Sequence, residues 1–191
     1  MNVPYRHAPR PDTGMTNAGL GMGLFLAADA MFFGALFSSF AFLRTAAGYW
    51  PVGREVLPFG LNALAVVAVA GACCSAWRAG REARKGRGRA CWRSLTAAAW
   101  GGLALFLAAG SYHQVWRDAG PPSANTFLAI YYVISASVTL HVLAASIFSM
   151  AACARPERDR AAAVSRLANL GGVWVFVLAM AVVSFLTFHV L

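Results

Sequence analysis

Two side chains able to share a proton stand inside the apolar stretches of this 191-residue chain: Asp29, within residues 22–34, and His141, within residues 126–153. An ionisable group at the centre of a bilayer costs at least about 2.5 kcal/mol on insertion scales, so it faces protein, water or a partner. It lowers that cost by keeping its proton and donating one hydrogen bond, or it takes part in handling protons or lipid. His141 has two readings as well. It can bond a backbone carbonyl or a hydroxyl such as Ser137 and fasten helices together, or it can pair with Asp29, directly or through water.

A second pair of histidines, His113 and His189, falls at another shared depth near helix ends. Two histidines on different helices are the minimum for clamping a haem iron or a metal, but neither carries a further motif. The four cysteines, Cys73, Cys74, Cys91 and Cys153, form no Cys-x-x-Cys pair and have no neighbouring histidine. They read as small packing residues on a side of the membrane where disulfides are rare. Nothing in the chain forms a phosphate loop, a nucleophile triad or a carboxylate pair, so catalysis by this chain alone is not expected.

The elements that must position these groups follow from composition. With 59% hydrophobic and only 12% charged residues, and with the charges falling almost entirely between apolar runs, the chain reads as an all-α, polytopic transmembrane bundle of five helices. The spans are expected at about 17–43, 58–77, 94–113, 126–153 and 167–191, after an irregular tail at 1–16 that holds Pro4, Pro9 and Pro11. The first run of 27 residues covers roughly 40 Å as a helix, enough to cross a hydrocarbon layer of about 30 Å with some tilt. Thr16 or Asn17 can cap it, Pro58 suits the first turn of the second span, and Gly120-Pro121-Pro122 stops the third.

Charge sets the expected orientation. Of 16 Lys and Arg residues, two lie in the tail, seven within 78–93 and four within 155–166, leaving three on the opposite side. By the positive-inside rule the N-terminus and both basic loops are cytoplasmic and the C-terminus lies outside. Trp50, Tyr112 and Trp116 then mark one interface and Trp77 and Trp92 the other. The net charge of +9 is thus a topology signal and does not point to nucleic acid. Small residues (Gly19 and Gly23, Gly101, Gly102, Ala104 and Ala108, Gly171 and Gly172) are expected to let helices approach closely.

The run Leu24-Phe25-Leu26-Ala27-Ala28-Asp29-Ala30-Met31-Phe32-Phe33-Gly34, followed by Arg44 and Trp50-Pro51, resembles the first conserved span of subunit III of haem–copper terminal oxidases, the cytochrome c oxidase type. Leu61-Asn62 is similar to the start of the next family helix. Pro122-Ser123-Ala124-Asn125-Thr126-Phe127 is similar to the polar start of the fourth, and Leu140-His141-Val142 to the end of a His-Gly-Leu-His-Val pattern. Five spans match the short bacterial form. The resemblance implies a non-catalytic subunit in a bacterial plasma membrane, packed on oxidase subunit I in a complex with subunit II and other respiratory subunits. It also implies haem and copper in those partners rather than in this chain, bound phospholipid, and support of proton uptake. Asp29 stands where the family has Glu, with His141 as its first partner, while Arg44, Trp50, Pro51, Asn62 and Trp174 are expected at interfaces or lipid headgroups.

The chain departs from the pattern at Val138 and Thr139, which replace a His and a Gly. It departs again at Trp174-Val175-Phe176-Val177-Leu178, where the family has Trp-His-Phe-Val-Asp, and at Tyr112-His113-Gln114, where a Glu is usual. These losses imply lipid binding and structural support in place of a shared polar relay. The five-span pattern with Asp in the first span also resembles the accessory relative of nitric oxide reductases. A haem-binding membrane anchor or a small transporter are further alternatives.

Overall fold

The computed structural model describes residues 9–86, 88–154 and 160–190. Residues 1–8 of the expected tail, Arg87, residues 155–159 and Leu191 lie outside the described residues. Six helices and no strands occur among them: α1 (Asn17–Ala46), α2 (Gly53–Val56), α3 (Phe59–Arg84), α4 (Ala90–Asp118), α5 (Thr126–Ala154) and α6 (Arg160–His189). All but α2 are long and apolar enough to cross a membrane, which makes this a membrane protein by the length and composition of its helices.

The long helices begin and end where local chemistry allows. Thr16 accepts a hydrogen bond from the Gly19 amide at 3.0 Å and Asn125 one from the Leu128 amide at 2.8 Å, so each caps an otherwise unpaired first turn. Gly120, at φ 103°, lets its amide turn back to the Val115 carbonyl at 3.0 Å and ends α4. Three spans run well beyond their apolar runs. The second span continues to Arg84, the third starts at Ala90 and ends at Asp118, and the fifth starts at Arg160. An apolar run marks the hydrocarbon layer, whereas a helix continues through Arg, Ala and Glu because these residues favour it. The short α2 occupies part of the loop expected between the first two spans.

α3 packs against α4 and α6, α4 also against α5, and α5 against α6, which closes a four-helix ring; α1 leans on α5 and α6 from outside. Only 6% of the apolar stretch of α1 is buried, against 44% for α6, so α1 is the peripheral member. The α3–α4 seam is built from small side chains. Ala68, Ala72, Ala76 and Ala79 repeat at helical spacing on α3, and Ala97 and Ala104 lie buried on α4. A Cβ on Gly71 would stand 2.8 Å from the Trp100 ring, and one on Gly101 would overlap the Ser146 hydroxyl. Among the described residues, a Cβ on Gly19 or Gly23, both expected to mediate packing, would meet no other helix within 4 Å.

At one end of the bundle an aromatic knot joins four elements. Phe40 of α1 meets Trp50 and Phe188 edge-on at 5.5 and 5.3 Å, and Trp50 meets Phe127 at 5.5 Å. Edge-to-face contacts of this kind add to the packing they bring. α2 is pressed so closely on α6 that a Cβ on Gly53 would overlap the Phe188 carbonyl.

The cysteine expectation needs correction. Cys91 and Cys153 form a disulfide with Cα atoms 4.8 Å apart, while Cys73 and Cys74 are free. The two residues are 62 positions apart, a separation at which spacing carries no signal. Antiparallel packing brings the first turn of α4 level with the last turn of α5, and that alone pairs them.

Candidate functional site

Asp29 lies near the middle of α1 and His141 near the middle of α5. His141 Nε2 stands 3.3 Å from Asp29 Oδ2, with the side chains 20% and 17% exposed. The other ring nitrogen, Nδ1, is 2.7 Å from the Ser137 carbonyl oxygen. A carbonyl only accepts, so Nδ1 carries a hydrogen and is fully used. Nε2 and Oδ2 can therefore bond only through one further proton between them, either as carboxylic acid and neutral imidazole or as carboxylate and imidazolium. In both forms the pair is neutral as a unit, which is how a bilayer tolerates two ionisable groups. Without that proton an anion would face a lone pair. The two readings of His141 thus hold together, since the ring bonds its own helix and Asp29 at once.

Aromatic rings surround the pair. Phe33, one helical turn after Asp29 and 1% exposed, meets the His141 ring edge-on with centroids 5.3 Å apart, and Phe176 of α6 meets Phe33 at 5.9 Å. Phe33 and Phe40 are the buried residues of α1. The helix is attached through this polar contact, the Phe33 and Phe40 rings, apolar side chains such as Leu26 and Leu36 packed against the core, and a hydrogen bond from Asn169 to the Ala18 carbonyl at 3.4 Å. Chemically the site can hold one proton in a fixed place and fasten a peripheral helix to a bundle.

Of the other expected residues, Arg44 sits in the last turn of α1 and Trp50 in the aromatic knot, with Pro51 following it. Asn62 and Trp174, expected at interfaces or headgroups, are placed differently. Trp174 is 0% exposed, with Nε1 donating to Ser149 Oγ at 3.0 Å, while Ser94 donates to the Ser149 carbonyl at 2.7 Å. In this chain it is a core anchor of α4, α5 and α6, because the small Gly101 opposite it admits the ring. Asn62 points into the bundle, where its amide meets His189 Nε2 at 3.0 Å and accepts from Ser111 at 2.7 Å. His113 is exposed and His189 buried, so these two histidines do not form a facing pair.

The polar group around Asn62 is the one sequence reasoning missed. Ser111, Tyr131 and His189 come from three other helices, and Ser111 lies 3.2 Å from the Tyr131 hydroxyl. A signal existed: Asn62 near the start of one span and His189 near the end of another share a depth, as do Ser111 and Tyr131. Helix order around the ring was needed to show that these faces converge.

Compared with protein-family models and with curated proteins, the chain matches none.

Proposed function

We propose that this chain is a non-catalytic, subunit III-like component of a haem–copper oxygen reductase, seated in a bacterial plasma membrane with its N-terminus and basic loops cytoplasmic. The observation that carries the reading is the first-span pattern around Asp29. Its acid, in the run from Leu24 to Gly34, is joined to His141, itself part of the Leu140-His141-Val142 match. A lone proton-holding pair between a peripheral helix and a packed four-helix body suits a supporting role. It fastens α1 and presents apolar surface to lipid and to a larger catalytic subunit. Haem and copper belong to that partner in this reading, and phospholipid is the ligand expected on this chain.

Affinity capture of the tagged chain from its native membranes, followed by identification of its companions and an absorption spectrum, tests the proposal. Copper-containing oxidase subunits I and II with haem bands support it. Asp in place of the family's Glu favours a second reading, an accessory protein of a nitric oxide reductase, and capture of that enzyme would establish it instead. A chain that is isolated alone and carries its own Soret band would refute both in favour of a haem anchor.

A further inference from the structure

We propose that the pocket between α3, α4, α5 and α6 is a binding site for a small cluster of waters anchored on His189. The pocket measures about 90 Å³; Val66, Val69 and Ala104 wall it together with Asn62, Ser111, Tyr131, Ser184 and His189, and Ser135 and Thr139 add further hydroxyls. No Asp, Glu, Lys or Arg lines it, so it offers no counter-charge to an ion.

The direction of each hydrogen bond shows what the site still lacks. Ser111 donates its only hydroxyl hydrogen to Asn62 Oδ1 at 2.7 Å, so at 3.2 Å it is Tyr131 that donates to Ser111. With its oxygen accepting, Asn62 presents its NH₂ to His189 Nε2 at 3.0 Å, and Nε2 must accept. A neutral imidazole that accepts at Nε2 carries its hydrogen on Nδ1. That N–H has no partner among the described residues, although the ring is 5% exposed. Buried donors are seldom left unpaired in native structures. Ser184, 8% exposed, adds a hydroxyl to the same wall.

Water fits this inventory. A buried water takes two to four polar partners, and one water occupies about 30 Å³ of liquid volume, so the cavity has room for roughly three. They would accept from His189 Nδ1 and exchange hydrogen bonds with Ser184 and the unused lone pairs of Tyr131. The result is a continuous hydrogen-bonded chain from Tyr131 through Ser111, Asn62 and His189 into water, spanning α5, α4, α3 and α6. This site is separate from the Asp29–His141 pair and does not depend on the subunit reading.

The test is water-edited solid-state NMR of the full chain, labelled with ¹⁵N-histidine, in bilayers of acyl-deuterated lipid. Magnetisation should pass from water to the His189 ring nearly as fast as to the exposed His113. In Ala108→Leu, which puts hydrocarbon into the cavity, transfer to His189 should fall at least about fivefold, with transfer to His113 and the helical circular dichroism unchanged. Ser184→Leu, filling the same space from another helix, should do the same. A His189 ring that receives no water magnetisation in the unsubstituted chain, or one whose transfer survives both filling substitutions, overturns the proposal.

Discussion

Replacing Asp29 by Leu removes the Asp29–His141 tie between α1 and α5, and the consequence follows from the geometry. The substitution leaves His141 Nε2 without its partner at 3.3 Å, while Nδ1 keeps its bond to the Ser137 carbonyl at 2.7 Å. Interhelical hydrogen bonds in membrane proteins average about 0.6 kcal/mol and reach about 1.7 in double-mutant cycles. With the side chains 17% and 20% exposed, the pair should fall between those limits, near about 1 kcal/mol, or roughly fivefold in an equilibrium. Asp29→Asn should lose little, because its NH₂ donates to Nε2 without needing the shared proton. The assay is reversible unfolding in mixed micelles titrated with SDS, applied to Asp29→Leu, His141→Phe and the double variant, with Asp29→Asn alongside. Phe at 141 retains a ring against Phe33, so the cycle isolates the polar term. A coupling below about 0.3 kcal/mol, the ordinary error of additivity, would refute the argument, as would an Asn variant no more stable than the Leu variant.

Other expectations concern the body of the bundle. Gly101→Val drives a branched side chain into Ser146 and the Trp174 ring and should destabilise by about 1–3 kcal/mol, whereas Gly102→Val, with nothing within 4 Å of its Cβ, should sit within about 0.5 kcal/mol of the parent; the same unfolding titration distinguishes them. Trp174→Phe preserves an aromatic ring but leaves Ser149 Oγ without its indole donor, and should cost about 1 kcal/mol. In membranes treated with diamide and then digested, peptides holding Cys91 and Cys153 should be recovered linked, while Cys74 remains open to alkylation. Recovery of both Cys91 and Cys153 as free thiols would count against that pairing.

Composition alone decides that this chain is a bundle of apolar helices. Hydrocarbon satisfies no backbone group, so a stretch of apolar residues long enough to cross it must be helical, and the five runs are plain between Arg-rich and Pro-rich segments. Their chemical singularities are legible for the same reason: one acid in a run of Ala, Phe and Met stands out, and so does a histidine at a similar depth on a later helix. The helix ends were less legible, because the charged residues beyond each run favour helix as well.

Other features depended on which helices are neighbours and how each is rotated, and a nearly uniform apolar surface carries little information about either. α1 is hydrophobic on all sides, so nothing in its pattern shows that Asp29 and Phe33 face α5 and α6. Trp174 reads equally well as an interfacial anchor or a core residue until Gly101 is seen opposite it. Cys91 and Cys153 meet only because α4 and α5 run antiparallel. The group formed by Asn62, Ser111, Tyr131 and His189 exists only because four helices close into a ring, turning one modest polar residue on each into a single buried network.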